Sequence, residues 1–147
     1  AYEALSPQMQ TLLDNLTATH EFEHAFQTFA KKLPGTAPIA REVFDSRPPV
    51  VHPMVHRHPE SGRKCLYVNP GFTIRINELP PAESDAILDF LFQHCTSEQF
   101  IYRHRWTRHD VVMWDNRATM HKAIPDYTAQ DNRYMRRCTI AGSAPTQ

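Results

Sequence analysis

Residues 114–121 read Trp-Asp-Asn-Arg-Ala-Thr-Met-His, and no other stretch of the chain is as informative. It ends on His121, whose imidazole can ligate a metal, and two guanidinium groups follow at Arg133 and Arg137. An iron site made of two histidines and one carboxylate on one face leaves coordination positions open for other ligands. Guanidinium groups near such a metal can hold carboxylates through paired hydrogen bonds. The stretch therefore offers one candidate metal ligand, with two candidate anion-binding arginines after it.

The spacing of the arginines supports this interpretation. If residues 133–140 form a strand, Arg133 and Arg137 lie on one face and Arg136 lies on the other, because side chains alternate along a strand. Two positive charges on an inward face are costly unless anions neutralise them. The sequence thus favours a pocket for two anions, and the alternative is a solvated basic strand.

Composition is that of an ordinary globular domain. The chain has 147 residues, of which 41% are hydrophobic and 22% charged, and its formal net charge is 0. A balanced charge argues against nucleic acid as a partner, because nucleic-acid binding usually needs a basic excess. No apolar run is long enough to predict a membrane span. Cys65, Cys95 and Cys138 are widely spaced and lack a CxxC pattern, which predicts reduced thiols and a cytoplasmic location.

Local sequence signals divide the chain into three parts. Residues 1–30 are predicted to be helical, and the prolines of residues 31–49 predict a mobile loop that could act as a lid. Residues 50–147 are predicted to form strands plus one helix, which begins at Pro81. The predicted strands are 50–55, 64–68, 72–76, 100–106, 110–114, 117–122 and 133–140.

Several stretches resemble the C-terminal part of the taurine/2,4-dichlorophenoxyacetate dioxygenase family, and they occur in the same order. Members of this family are Fe(II)/2-oxoglutarate-dependent oxygenases. The 114–121 stretch carries most of the resemblance, and the order of the others adds to it. The other stretches are residues 1–5, 52–55, 58–62, 66–69, 71–73, 84–91 and 137–142.

The resemblance implies an Fe(II)- and 2-oxoglutarate-dependent dioxygenase that uses O₂ to hydroxylate a small anionic substrate. Sulfonates, aryloxyalkanoates and sulfate esters all fit, with 2-oxoglutarate converted to succinate and CO₂. By resemblance, His121 is the distal iron ligand, Arg133 holds the 2-oxoglutarate, and Arg137 faces the anionic group of the substrate. Arg136 is the alternative to Arg133, since the preceding loop varies by one residue in the family. No catalytic residue beyond the metal ligand is implied, and a homo-oligomer is possible.

The implied fold is mostly β with a few helices, a double-stranded β-helix (jelly roll, cupin-like). The family's other two iron ligands form a His-x-Asp/Glu motif upstream of the part that residues 1–5 resemble. Residues 1–147 are therefore expected to be the C-terminal part of one dioxygenase domain, an incomplete copy without its N-terminal half.

His58-Pro59-Glu60 is the one His-x-Asp/Glu pattern in the chain. We reject it as the iron site, because the Pro, Ser and Gly around it predict a tight turn. It also aligns with a family segment other than the ligand motif.

Other functions stay open at this stage. One alternative is a catalytically incomplete fragment that at most binds small dicarboxylates through Arg133 and Arg137. A zinc hydrolase is disfavoured, because the nine histidines show no HExxH motif or other clustered ligand spacing. Without the motif before it, His121 would not be preferred to His104 or His109 as a ligand.

Overall fold

A computed structural model describes residues 1–32, 35–124, 126–128, 130–131 and 134–142. Its helices and strands lie in the first hundred residues. The helices are α1 (Pro7–Leu13), α2 (Phe22–Lys32), α3 (Arg41–Asp45) and α4 (Pro81–Cys95), with 3₁₀ turns at Tyr2–Ala4 and Glu98–Phe100. The strands are β1 (Thr17–His20), β2 (Val50–Pro53), β3 (Val55–Arg57), β4 (Lys64–Leu66) and β5 (Thr73–Ile76).

Both helix starts that the sequence predicts are present. In α1 the Ser6 hydroxyl accepts a hydrogen bond from the N–H of Met9 at 3.3 Å, and a proline occupies the first turn. Helix α4 begins at Pro81 and buries Leu88 and Leu91 on the side that packs against the sheet. The Ser84 hydroxyl of α4 accepts a hydrogen bond from the backbone of β5 at 2.8 Å, which fixes the helix on that strand.

Two antiparallel sheets form the centre of the described structure. The first has the strand order β2-β1-β5, so β1 pairs on both sides. The second is the hairpin β3-β4, in which Val55 lies opposite Leu66. Met54 connects the two sheets, because its N–H bonds to the carbonyl of Leu16 at 3.0 Å and its carbonyl accepts from the N–H of Tyr67 at 2.7 Å.

The hydrophobic core lies between these sheets, α4 and the N-terminal turns. Each fully buried aliphatic side chain contributes about 1.5–3 kcal/mol relative to exposure, so this cluster is the main source of stability. All the described buried hydrophobic residues precede residue 100. They are Tyr2, Leu5, Leu13, Leu16, Ala18, Met54, Val55, Val68, Ile76, Leu88 and Leu91.

Residues 101–142 differ from the sequence-based expectation. No described residue of this segment belongs to a strand, so the strands predicted at 100–106, 110–114 and 117–122, and the described part of that at 133–140, are wrong. Most of its described apolar side chains are exposed, with Val111 at 94%, Met113 at 88% and Ile140 at 87%. Alternating apolar residues favour a strand only where a neighbouring strand pairs their backbone N–H and C=O groups. The described residues supply no such neighbour to this segment.

The N-terminal half also departs from the prediction at three points. Strand β1 lies within residues 1–30, which are predicted to be a helical region. Helix α3 lies within the predicted loop of residues 31–49. The predicted strand 50–55 is divided at Met54 between β2 and β3, which belong to different sheets. Antiparallel sheets with a few helices are present as expected, whereas the double-stranded β-helix stays a prediction.

No helix in the described ranges is long and apolar enough to cross a membrane.

Candidate metal and anion site

A turn centred on Asp115 precedes His121. The Asp115 carboxylate accepts the N–H of Arg117 at 2.8 Å, and its carbonyl accepts the N–H groups of Ala118 and Thr119 at 3.2 and 3.0 Å. The Thr119 hydroxyl donates to the same carbonyl at 2.7 Å. Aspartate is well suited to this position, because its short side chain can bond the backbone two residues ahead. The turn reverses the chain two residues before His121.

Arg117 also holds the side chain of Asp115. Its Nη2 lies 2.6 Å from Oδ2 and its Nε lies 3.0 Å from Oδ1, which makes a two-pronged contact. The Arg117 hydrogen bonds, followed by one from His58, hold the pKa of the Asp115 carboxyl well below its usual range. The carboxylate is therefore charged at neutral pH. Asp115 and Arg117 therefore stabilise the turn itself.

His58 joins this turn to the β3-β4 hairpin. Its Nε2 lies 3.0 Å from Oδ2 of Asp115, and its Nδ1 accepts the N–H groups of Glu60 and Ser61 at 3.3 and 3.2 Å. Two donors directed at Nδ1 assign the ring proton to Nε2, so Nε2 donates to the carboxylate. Gly62 closes the turn, with its N–H bonded to the His58 carbonyl at 2.8 Å. Because both ring nitrogens are engaged, the geometry agrees with our rejection of His58-Pro59-Glu60 as an iron site.

His121 presents an accessible imidazole. Its ring lies 4.8 Å from the Trp114 ring, centroid to centroid and tilted by 49°. The Trp114 indole donates to Oδ1 of Asn116 at 3.0 Å, which holds the indole over the turn. His121 is exposed, and within the described ranges its ring nitrogens have no hydrogen-bond partner. An exposed imidazole that packs on one aromatic ring fits the role of a metal ligand.

The rest of a metal site is not formed by the described residues. Among them, no group of three or more His, Cys, Asp or Glu could hold a metal ion. The described part of the chain thus fits one of the three ligands that a two-histidine, one-carboxylate iron site requires.

Of the three candidate anion-binding arginines, the structure describes Arg136 and Arg137. Arg137 is exposed, and no described contact joins it to His121. Arg133 lies outside the described residues, so its predicted role stays a prediction. Arg136, the alternative, lies on Tyr134, with Nε 3.2 Å from the phenol oxygen and Cζ 5.7 Å from the ring centroid.

His20, His52 and Tyr67 form an aromatic cluster between the sheets. The His20 ring centroid lies 5.4 Å from that of His52 and 5.6 Å from that of Tyr67. Nδ1 of His20 lies 3.2 Å from the Thr73 hydroxyl, whereas its Nε2 is buried without a hydrogen-bond partner in the described structure. Burial, followed by repulsion from His52, lowers the pKa of His20 to about 4. These residues approach one another only through strand pairing, so no sequence spacing reveals them.

Comparison with known proteins settles the family. Residues 1–139 match the family described as taurine catabolism dioxygenase TauD, TfdA family. The chain belongs to this family. The match spans nearly the whole chain, including the Asp115 turn, His121, Arg133 and Arg137. The resemblance on which the sequence analysis relied is therefore confirmed.

Relatives within the TauD/TfdA family act on different substrates. The chain is 35% identical over 144 residues to the alpha-ketoglutarate-dependent 2,4-dichlorophenoxyacetate dioxygenase of Cupriavidus pinatubonensis, covering 98% of this chain and 48% of that protein. It is 36% identical over 147 residues to the alpha-ketoglutarate-dependent sulfate ester dioxygenase of Pseudomonas putida, covering 99% and 48%. The chain spans about half the length of these relatives.

The fold of the described chain is also similar to that of a solved structure. The chain is similar to the crystal structure of AAD-2 in complex with Mn(II) and N-oxalylglycine, with a TM-score of 0.66 and 29% identity. The superposition covers 80% of this chain and 44% of that one.

Proposed function

We propose that this chain is the C-terminal part of an Fe(II)- and 2-oxoglutarate-dependent dioxygenase and that His121 supplies one iron ligand. The observation that carries the proposal is the exposed His121 imidazole, packed on Trp114 at the end of the Asp115 turn. Membership of the TauD/TfdA family supports it, as does a related structure that binds Mn(II) and N-oxalylglycine. Iron and 2-oxoglutarate are accordingly the proposed cofactor and co-substrate.

The proposed substrate is a small organic anion. Relatives are named as dioxygenases of 2,4-dichlorophenoxyacetate, of sulfate esters and of sulfonates, and these substrates share a negatively charged group. Arg137 is proposed to bind that group, because its exposed guanidinium can make paired hydrogen bonds to an oxyanion. Arg133 is proposed to bind the distal carboxylate of 2-oxoglutarate.

In the proposed reaction the cofactor supplies the oxidation, and the protein binds and orients the reactants. When bound, Fe(II) with 2-oxoglutarate and O₂ supplies the oxidation, in which one oxygen atom enters a substrate C–H bond and the other enters succinate as CO₂ is released. Arg137 fixes the anionic end of the substrate, which determines the carbon that faces the metal, and His121 fixes the metal relative to that carbon.

The rest of the proposed enzyme must supply what the described residues lack. We propose that it carries the His-x-Asp/Glu pair and completes a double-stranded β-helix in which residues 1–147 form one domain with the upstream part. The exposed Val111, Met113 and Ile140 support this, because such apolar side chains are normally covered by further structure. The relatives' greater length supports it too.

The second candidate is the incomplete fragment. It is favoured by one observation, that the described residues contain no group of three metal-binding side chains. In that case the 147-residue chain by itself turns over no substrate and at most binds small dicarboxylates through its arginines.

Succinate formation tests the proposal. The complete gene product is supplied with Fe(II), 2-oxoglutarate, O₂ and one of three substrates: an alkylsulfonate, an aryloxyacetate or an alkyl sulfate. Substrate-dependent succinate formation that His121→Ala abolishes is expected. Absence of succinate with every substrate, from folded protein loaded with Fe(II), would contradict the proposal. The same assay on the 147-residue chain tests the fragment alternative.

A further inference from the structure

We propose that His58 is a positioning residue for His121. Its Nε2–H holds Asp115, and through the Asp115 turn it orients the Trp114–His121 ring pair for metal binding. This inference rests on the proposed function for the role of His121. Its structural part concerns only residues of this chain and can be tested without metal.

Residues 101–142 are joined to the rest of the protein by few described contacts. This segment contributes none of the described buried hydrophobic residues, and described polar contacts join it to earlier residues, among them Arg103 to Glu98 at 2.8 Å. The His58–Asp115 bond, at 3.0 Å, reaches it from the β3-β4 hairpin. The Cys65 thiol also lies 3.8 Å from the carbonyl of Arg117, but a thiol is a weak donor at that distance. The imidazole-to-carboxylate bond is therefore the stronger of these two attachments.

The hairpin turn fixes the direction of the His58 ring. The N–H groups of Glu60 and Ser61 both point at Nδ1, so the hairpin turn sets the orientation of the imidazole before Asp115 contacts it. The His58 side chain is 14% exposed, which limits competition from water for the Nε2–H. A hydrogen bond to a charged carboxylate in such a setting is stronger than one between neutral groups.

Asp115 is linked to His121 on both sides of the turn. The Asp115 carbonyl accepts from the backbone N–H and the hydroxyl of Thr119, which fixes the chain two residues before His121. Trp114 precedes Asp115 in the chain. Its indole N–H donates a hydrogen bond to Asn116, and its ring packs on the ring of His121. A shift of Asp115 would therefore move both the backbone and the aromatic ring that orient His121.

Two substitutions separate the two functions of the His58 ring. In His58→Gln the side-chain amide occupies the place of Nε2 and can still donate to Asp115. In His58→Asn the shorter side chain can accept the two turn N–H groups in place of Nδ1, but it does not reach Asp115. Both variants keep a polar side chain at the hairpin turn, and backbone amide shifts of residues 55–66 report whether the hairpin is intact.

The chain also contains a matched control. His104 lies 3.2 Å from Asp110 and its ring contacts Trp106 at 4.7 Å, which is a second histidine–aspartate pair beside a tryptophan in the same segment. His104→Asn breaks that pair without touching the Asp115 turn. It should leave the Trp114–His121 contact unchanged.

The readout is the nuclear Overhauser effect between the indole protons of Trp114 and the ring protons of His121 in the metal-free 147-residue chain. The proposal predicts a contact that is present in the parent chain, in His58→Gln and in His104→Asn, and weakened at least twofold in His58→Asn. It is overturned if His58→Asn keeps the full contact, or if His58→Gln loses as much of it as His58→Asn.

A second readout separates this inference from the proposed function. In the complete gene product, His58→Asn should weaken Fe(II) binding about tenfold, as loss of an outer-shell partner typically does, and His58→Gln should restore it. If Fe(II) binding is insensitive to His121→Ala while the ring contacts respond as predicted, the iron role fails and the positioning role stands. If iron binding needs His121 but both His58 variants bind it like the parent, the positioning role is overturned.

Discussion

The indole ring of Trp114 lies 4.8 Å from the imidazole ring of His121, and its N–H is bonded to Asn116. The contact joins the first and last residues of the 114–121 stretch across the turn between them. A histidine packed on a held aromatic ring samples fewer rotamers than a fully solvated one. Less side-chain entropy is therefore lost when its nitrogen binds a metal.

Trp114→Ala should weaken Fe(II) binding by the complete gene product, because His121 loses the ring that restrains it. An aromatic pair of this kind contributes about 0.5–1.5 kcal/mol, so a loss of roughly two- to tenfold in affinity is expected. Trp114→Phe keeps a ring and should lose less. Trp106→Ala, which removes the ring beside His104, is the control and should bind like the parent. Equal affinities of Trp114→Ala and Trp106→Ala would argue against an ordering role.

Arg137→Ala should raise the KM for the anionic substrate and leave the KM for 2-oxoglutarate nearly unchanged. Hydrogen bonds to a charged group contribute about 1.5–3 kcal/mol, so kcat/KM for the substrate should fall roughly 10- to 100-fold. Steady-state succinate formation measures both constants. Arg105→Ala removes another exposed arginine of the same segment and serves as the control. A rise in the KM for 2-oxoglutarate instead would exchange the roles proposed for Arg133 and Arg137.

The buried His20 predicts acid sensitivity of the fold. Its pKa is lowered from 6.5 to about 4, first by burial and then by the nearby His52. The unfolded chain therefore takes up a proton at His20 below pH 6.5, whereas the folded chain does not until about pH 4. Stability contributed by the neutral ring is present above pH 6.5 and is lost as the pH falls through this window, by at most about 1.4 kcal/mol per pH unit.

Urea unfolding at several pH values between 7 and 4.5 checks this expectation. His20→Gln should flatten the decline in the free energy of unfolding, whatever its effect at pH 7. It should not abolish the decline, because the pKa of His52 is also lowered, by burial and by His56. His24→Gln on α2 is the control and should keep the parent's slope. An unchanged slope in His20→Gln would mean that His20 is not buried as described.

Leu91→Ala tests the packing of α4. Leu91 is fully buried between this helix and the sheet, so the substitution should lower the free energy of unfolding by about 2–5 kcal/mol. Asp89→Ala on the exposed side of the same helix should change it by less than about 0.5 kcal/mol. Circular dichroism during urea unfolding gives both values. Similar stabilities of the two variants would contradict the described core.

Local signals explain which parts of the fold could be predicted. Helix α4 was predictable because its proline start and its apolar face lie within fifteen residues. Strand β1 was not, because Thr17–His20 has little apolar character and its partners β2 and β5 lie far along the chain. After residue 100 the error is the opposite, because strands are predicted where the described residues form none. Their alternation is real, but a strand also needs a neighbour, which is a property of the whole fold.

In the candidate site, too, local contacts could be predicted from the sequence and long-range contacts could not. The Asp115 turn could be predicted because every bond within it joins residues at most four apart. The role of His121 came from a family motif rather than from spacing. The His58–Asp115 bond joins residues 57 positions apart, and only the three-dimensional structure reveals it.

His121 is proposed to ligate iron in the complete protein. Anaerobic titration of the complete gene product with Fe(II) and 2-oxoglutarate tests it, with the metal-to-ligand charge-transfer absorption as the signal. We expect the absorption in the parent and in His109→Asn, which alters another exposed histidine of the same segment, and we expect its loss in His121→Ala. Undiminished absorption in a folded His121→Ala variant would show that His121 is not an iron ligand.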